Sequence, residues 1–204
     1  MTRVPLDMTQ APLRTVRPKD LAEIYANPRA EIARMVEQGA VTRLAYGYFI
    51  VTPDDQGDGW KPTIETAAAG IAAAIFGQRN MVLMGVTAAR VHLAIPRAIG
   101  VAVIAAPRQH RPVKLEDGGK VRFVARDVDG LDARLETLET GQALVTTPEQ
   151  TLLDLAKRPD LGDLATEAHA AVRNLAGRAD WEKLTRLAHR QRARAALEQI
   201  EALR

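Results

Sequence analysis

Two side chains that nucleases use in catalysis lie close together in this sequence. Asp154 and Lys157 are three residues apart in a segment with helical periodicity, which would place them on one face of a helix. A nuclease carboxylate and lysine usually lie at strand ends, beside a second acidic group that helps to hold a metal ion. Because no such arrangement is evident here, we interpret the pair as a salt bridge on the protein surface.

Other patterns that would indicate an enzyme are absent from the sequence. There is no cysteine, so thiolate metal sites and disulfides are excluded. We find no HExxH motif, no glycine-rich phosphate loop before a helix and no GxSxG motif. The histidines lie on separate predicted elements: His92, His110, His169 and His189. We therefore predict no catalytic residue, no metal site and no cofactor, and a protein that is not an enzyme.

Contact with phosphate groups is a second kind of chemistry, indicated by side chains near the amino terminus. The predicted DNA-contacting residues are Arg29, Arg34, Arg43, Tyr46 and Tyr48. Arg29 would lie in the first turn of a helix, where recognition helices usually contact bases. The alternative is an ordinary solvated face, because Glu31 and Glu37 lie beside these arginines. From Thr2 to Thr52 the chain has only seven Lys and Arg side chains against five acidic ones.

Basic residues near the carboxyl terminus are the candidates for binding a partner. Lys183, Arg186, Arg190 and Arg194 are separated by three, four and four residues, so a continuous helix would align them in one basic ridge. Like charges at this spacing destabilise a helix slightly unless an anion compensates. The alternative is pairing with acidic groups of the same chain, and a helix break near Gln191 is also compatible with the sequence.

The elements that must position the first set of residues lie between Thr15 and Thr52. Pro18 is predicted to begin one helix, with Leu21, Ile24 and Tyr25 on its buried face. Asn27 is predicted to cap a second helix that begins at Pro28 and ends at Gly39. The apolar segment VTRLAYGYFIV then predicts a β-hairpin with its turn at Tyr46-Gly47. This order is typical of a winged helix-turn-helix. Only about sixteen residues precede the first helix, so we expect the supporting helix of the motif to be short or absent.

The acidic, glycine-rich segment 53–62 (PDDQGDGWKP) predicts a boundary between two domains. We therefore divide the chain into a winged helix-turn-helix over residues 1–52, a linker over 53–62 and an α+β domain over 63–204. The predicted elements of the second domain are a helix capped by Thr63, a helix from about Thr87 to Pro96, a buried strand at Ile99–Ala106, a hairpin at Val113–Ala125, a strand at Ala143–Thr146, a helix behind a Thr147 cap, and further helices to the end. The fold class is α+β, a small sheet covered by helices.

Composition bounds the remaining possibilities. The chain has 204 residues, of which 47% are hydrophobic, enough for one good core or two small ones. No apolar run approaches the ~20 residues of a membrane span, so we expect a cytoplasmic protein without a membrane partner. The segment Arg79–Arg126 carries nine basic and two acidic side chains. Such a block can pair within the fold or meet an acidic partner.

Three segments together resemble the AbiEi antitoxin family of type IV-like toxin–antitoxin systems, including its actinobacterial members. They are GAVTRLAYGYFIVTP, TAARVHLAIPRAIGVAVIAAP and TTPEQTLLDLAKRP. The resemblance implies an N-terminal winged helix that can repress the operon and a C-terminal domain responsible for antitoxin action. It also implies a nucleotidyltransferase toxin encoded by a neighbouring gene, which some members neutralise by direct binding and others without a stable complex.

Two hypotheses follow from the sequence. In the first, the chain is an antitoxin that binds a nucleotidyltransferase toxin through its basic surfaces. In the second, it is a transcriptional autorepressor that binds operator DNA through the winged helix. The two are separated by testing for co-purification with the neighbouring gene product and for a mobility shift on the upstream DNA.

Overall fold

A computed structural model describes residues 4–57 and 59–203. The amino-terminal part holds helix α1 (Leu6–Thr9), strand β1 (Thr15–Val16), helix α2 (Pro28–Glu37) and strands β2 (Val41–Ala45) and β3 (Tyr48–Val51). Short 3₁₀ turns occupy Pro12–Arg14 and Pro18–Leu21. The three strands form an antiparallel sheet in the order β1-β3-β2.

Helix α2 and the hairpin agree with the prediction. The Asn27 side chain accepts a hydrogen bond from the Ala30 amide at 3.4 Å, and Pro28 is the first helical residue. Gly39 has φ +72° after the helix, and Gly47 has φ +82° in the hairpin turn. Both conformations are favourable for glycine because it has no Cβ.

The prediction of an α-helix beginning at Pro18 is wrong. The segment Pro18–Leu21 is a single 3₁₀ turn, closed by Asp20, whose carboxylate accepts hydrogen bonds from the backbone and guanidinium of Arg17. Pro28 disfavours the helical conformation at Asn27, which has φ −133° and ψ 78°. The segment before Asn27 therefore cannot join α2 in one continuous helix. Leu21 is buried as predicted, but Ile24 is 38% exposed. The assignment of this part as a winged helix-turn-helix stays a prediction.

The rest of the chain contains a six-stranded sheet and six further helices within the described ranges. The strands are β4 (Val82–Leu83), β5 (Val101–Ala106), β6 (Val113–Lys114), β7 (Lys120–Ala125), β8 (Ala133–Leu138) and β9 (Gly141–Thr146). The helices are α3 (Ile64–Phe76), α4 (Gly85–Val91), α5 (Pro148–Lys157), α6 (Ala165–Ala176), α7 (Trp181–Arg190) and α8 (Arg194–Glu201). The α+β fold class predicted from the sequence is confirmed.

The six-stranded sheet is mixed and runs in the order β6-β7-β5-β4-β9-β8. The pairs β5–β7 and β4–β9 are parallel, and the other neighbours are antiparallel. All six residues of β5 are buried, as predicted for a strand covered on both faces. The sequence did not predict β8. It predicted a helix from about Thr87 to Pro96, whereas α4 begins at Gly85 and ends at Val91, shortly before Leu93 adopts φ +58°.

Each face of this sheet has its own helical layer. The alanine-rich α3 packs on one face, in a core that includes Ile71, Ile104 and Phe123. Helices α4 to α8 pack on the other face, in a core that includes Val103 and Leu152. None of the helices in the described ranges is long and apolar enough to cross a membrane.

The amino-terminal part packs directly on α3. Leu44 and Ile50 of the hairpin share one core with the alanines of α3, and the Thr140 hydroxyl donates to the Leu13 carbonyl at 3.1 Å. The described residues of segment 53–62 carry no helix or strand, yet the Thr42 hydroxyl donates to the Trp60 carbonyl at 3.3 Å. The division of the chain into two domains at this segment stays a prediction.

Candidate functional site

A cleft of about 700 Å³ lies between α2 and the β2–β3 hairpin. Its apolar lining comes from Ile32, Val36 and Phe49. Its charged lining comes from five cations and one carboxylate: Arg17, Lys19, Arg29, Arg43, Arg111 and Glu37. An excess of cations around an open cleft attracts anions, and phosphate groups above all. We call this the basic cleft.

The basic cleft brings together four of the five residues predicted to contact DNA. Arg29, Arg43, Tyr46 and Tyr48 all line it. Arg34 does not line the cleft, and its guanidinium is held by the Glu31 carboxylate at 2.8 Å. The predicted set is therefore a spatial group with the exception of Arg34.

Local structure fixes the direction of these side chains. Arg29 lies in the first turn of α2, directly behind the Asn27 cap. The Arg43 guanidinium lies 6.0 Å from the centre of the Phe49 ring and 3.7 Å from the Glu116 carboxylate. Tyr46 lies in the hairpin turn with 85% of its surface exposed, so its ring is available to a ligand.

Sequence reasoning missed three cations of the cleft: Arg17, Lys19 and Arg111. Arg17 makes a bidentate ion pair with Asp20, in which Nε and Nη2 each donate to a carboxylate oxygen at 2.9 Å. Arg111 lies between β5 and β6, in the segment Arg79–Arg126, which carries nine basic and two acidic side chains. That excess was the available signal, but only the fold shows that Arg111 reaches the cleft.

Aromatic packing holds the segment that carries Arg111. The ring of His110 lies 5.1 Å from the Phe123 ring and 6.1 Å from the Phe76 ring, edge-on to both. The Nδ1 atom of His110 is 2.7 Å from the Arg111 carbonyl. The six-stranded sheet and α3 therefore set the position of one cation of the basic cleft.

Tyr48 contributes a half-buried hydroxyl to the cleft. Burial raises the pKa of the Tyr48 hydroxyl, and the nearby cations Arg17 and Arg111 oppose that shift. At neutral pH the hydroxyl is therefore uncharged and can donate a hydrogen bond to a phosphate oxygen.

The predicted basic ridge is broken. Helix α7 ends at Arg190, Arg192 turns into the left-handed region with φ +50°, and Arg194 begins α8. The four residues therefore do not align on one helix, because α7 ends before Gln191 and a separate helix begins at Arg194. Arg186 and Arg190 on α7 and Arg194 on α8 are exposed, whereas Lys183 is half-buried. We call these four side chains the basic surface of α7 and α8.

Most charges on this surface have partners within the chain. The Lys183 ammonium lies 2.8 Å from Asp132 and 3.3 Å from Glu149. Arg186 pairs with Glu182, and Arg194 pairs with Glu198 at 2.9 Å. Arg190 is exposed and has no ion pair among the described residues, although its charge helps to lower the pKa of the Asp132 carboxyl. Pairing within the chain, which the sequence left open, accounts for Lys183.

The interpretation of Asp154 and Lys157 as a surface salt bridge is wrong. Asp154 is 3% exposed, and its Oδ1 accepts from Gln150 at 3.2 Å and from Arg126 at 3.4 Å. Burial raises the pKa of the Asp154 carboxyl, and Arg126 opposes the shift. The described residues contain no group of three acidic, histidine or cysteine side chains that could hold a metal ion.

The fold of this chain is shared with a solved structure. The structure resembles the crystal structure of the RV2827C protein from Mycobacterium tuberculosis, with a TM-score of 0.59 and 17% sequence identity. The match covers 98% of this chain and 79% of that one. At this identity the likeness shows a shared α+β fold and nothing about function.

The family is defined by sequence. The family model of the AbiEi antitoxin C-terminal domain matches residues 80–203, which is more than half of the chain. The chain therefore belongs to the AbiEi antitoxin family, as its sequence motifs predict, and its role is that of an antitoxin in a toxin–antitoxin system. No curated protein matches it.

Proposed function

We propose that this antitoxin neutralises a nucleotidyltransferase toxin by binding it directly in the cytoplasm, without a catalytic step of its own. The observation that carries the proposal is the exposed basic surface on α7 and α8, which lies inside the region that matches the antitoxin family. Arg190 has no ion pair among the described residues, and the Arg186 and Arg194 pairs lie at the exposed surface. Such pairs contribute little to stability and exchange readily for others.

The chemistry of the proposed partner agrees with this surface. Nucleotidyl transfer requires metal ions held by carboxylates, so such a toxin carries a concentration of acidic groups at its active site. Several exposed arginines are suited to contact such acidic groups. Lys183 is held by its own acidic partners, so it contributes to this surface mainly by supporting α7.

Charge reversal tests the proposal. The variant Arg186→Glu/Arg190→Glu/Arg194→Glu, co-expressed with the neighbouring toxin gene, is expected to bind the toxin at least about tenfold more weakly than the unmodified chain. Rescue of growth should fall with it. The matched control is Arg173→Glu, an exposed arginine on α6, which should bind and rescue normally.

The outcomes separate the parts of the proposal. Absence of both a complex and growth rescue with the unmodified chain contradicts the choice of toxin. Rescue without a complex contradicts direct binding and leaves the antitoxin role intact. Equal binding by the triple variant and the control contradicts the assignment of the surface.

A second candidate function, repression of the antitoxin's own operon, is favoured by the basic cleft. In a winged helix-turn-helix the recognition helix enters the major groove and the hairpin contacts the backbone. The cleft places Arg29 at the start of α2 and the exposed Tyr46 at the hairpin turn. Arg29→Ala is expected to weaken a mobility shift on the upstream DNA, with steep dependence on salt.

Arg34 serves as an internal comparison for the DNA-binding proposal. It is on the same helix as Arg29, but it lies outside the cleft and is paired with Glu31. Arg34→Ala should therefore weaken the shift less than Arg29→Ala does. Absence of any shift, or of any salt dependence, would show that the helix and hairpin serve only the fold.

A further inference from the structure

Strand β8 forms an open edge of the six-stranded sheet. It is last in the strand order and pairs with β9 over six residues without a register shift. The opposite edge, β6, is only two residues long. An unpaired, regular edge of this length can accept another strand.

The outward-facing backbone groups of β8 can be identified from its pairing with β9. The Thr147 amide donates to the Asp132 carbonyl at 2.9 Å, so these two opposed residues form a hydrogen-bonded pair. Alternation along an antiparallel ladder then makes Arg134 and Glu136 the next residues bonded to β9. The amides and carbonyls of Ala133, Leu135 and Thr137 must therefore point away from the sheet.

The side chains of this edge are complementary to themselves. Leu135 is 55% exposed and is flanked by Arg134 and Glu136, which pair with each other at 2.6 Å. If a second β8 is laid antiparallel with Leu135 opposite Leu135, each Arg134 lies opposite a Glu136 of the other copy. Opposite charges in directly opposed positions stabilise an antiparallel pair, and a two-fold axis provides both contacts at once.

We propose that β8 is a self-association surface, where two copies of this chain join their sheets by antiparallel pairing centred on Leu135. The three outward-facing residues of each strand supply the backbone hydrogen bonds. The Arg134–Glu136 pairs set the register, because a shift by one residue places Leu135 against a charge. The two-fold axis is perpendicular to the sheet, so both amino-terminal parts lie on the same side of the pair.

The interface is small, so the dimer is a weak one with a Kd on the order of 10–100 µM. Sedimentation of the full chain from about 5 to 500 µM should show a reversible monomer–dimer equilibrium in this range. Arg134→Glu and Glu136→Arg, tested separately, should each raise the Kd by about tenfold or more, because each places like charges opposite each other. The exchanged variant Arg134→Glu/Glu136→Arg should return the Kd to within about threefold of the original value, because the opposed charges are again of opposite sign.

A proline variant tests the backbone contribution separately from charge. Leu135 lies opposite Leu144 at a position that is not hydrogen-bonded to β9, so Leu135→Pro removes only an outward-facing amide. This variant should be monomeric, with the circular dichroism of the unmodified chain. If its spectrum shows unfolding, the charge-exchange series decides the question, and Arg173→Glu is the control with unchanged Kd.

Three results would overturn the proposal. They are a chain that stays monomeric to the highest concentration, a dimer unaffected by either single reversal, and an exchanged variant that fails to recover. If the single reversals instead abolish toxin binding while the unmodified chain remains monomeric, the edge belongs to the toxin and self-association is wrong.

Discussion

Lys183 shows how a charged side chain on a helix can serve the fold. Its ammonium group joins Asp132, before β8, to Glu149 in the first turn of α5. Glu149 in turn accepts a hydrogen bond from the Asp180 amide at 3.1 Å, at the start of α7. One cation therefore ties together three segments that are distant in sequence.

Replacement of Lys183 should reduce stability. Lys183→Met removes a cation that pairs with the buried Glu149 and the half-buried Asp132, and we expect a loss of about 1–3 kcal/mol in the free energy of unfolding. Urea denaturation measures this value. The control Arg173→Met removes an exposed cation and should stay within about 0.5 kcal/mol of the original. Equal stability of both variants would show that the Lys183 pairs contribute nothing to the fold.

The pH dependence of stability should report on Asp132. Burial alone would raise the pKa of this carboxyl, but hydrogen bonds from Lys183 and Thr147 outweigh it and hold the pKa below its ordinary value. A lowered pKa stabilises the fold above the unfolded pKa of about 4, and this contribution is lost as pH falls through the lower folded pKa.

The Asp132 effect can be measured by difference. The gap in unfolding free energy between the unmodified chain and Asp132→Asn should be constant at neutral pH and shrink below about pH 4. Asp129→Asn, in the exposed loop nearby, should not show this change. A gap that persists to the lowest pH measured would contradict the role of the ionised carboxyl.

For individual residues, the sequence identified candidate side chains more reliably than the residues that these side chains contact. Asp154 and Lys157 are neighbours on one helix, but Asp154 is bonded by Arg126, which lies 28 positions away. Likewise, four predicted residues meet in the basic cleft, while Arg111 joins them only through the fold. Spacing along a helix determines local neighbours, and long-range partners depend on how strands and helices pack.

Among the elements, α3 has the central position, between the six-stranded sheet and the amino-terminal sheet. Its close approach to β1 depends on Gly70. A Cβ built on Gly70 would lie 2.1 Å from Oγ1 of Thr15 and 3.0 Å from its Cβ. The absence of a side chain at this position lets the two parts of the chain pack without a gap.

Gly70→Ala should therefore destabilise the protein, although alanine is the better helix former by about 1 kcal/mol. Overpacking at a buried site costs about 1–3 kcal/mol, which reverses the expected gain. Thermal and urea unfolding measure the change. The double variant Gly70→Ala/Thr15→Ala removes the closest contact and should recover part of the loss. A stabilised Gly70→Ala variant would show that α3 and β1 separate easily.

The elements predicted correctly have strong local signals. The caps Asn27, Thr63 and Thr147 begin their helices as predicted, and β5 is a continuous apolar run. Strand β8 (ARLETL) was missed because most of its residues favour helices. Its pairing with β9 overrides that preference, and sequence propensity alone cannot reveal such pairing.

For the whole molecule, the shared core between the amino-terminal part and α3 matters more than the boundary at 53–62. A fragment of residues 63–204 would expose the face of α3 that now packs against Leu44 and Ile50. We expect this fragment to unfold at a lower temperature than the full chain and to bind a hydrophobic dye, since it exposes an apolar patch. A fragment with unchanged melting temperature would support two independent domains.

The position of Arg111 has a thermodynamic consequence. Arg111 lies within the region that matches the antitoxin family, yet it lines the cleft of the amino-terminal part. An anion bound there would contact both parts and would stabilise their joined state over any state in which they separate. A ligand bound in the cleft would then raise the melting temperature of helices that it does not contact. Thermal unfolding of the antitoxin region would therefore report whether the cleft is occupied.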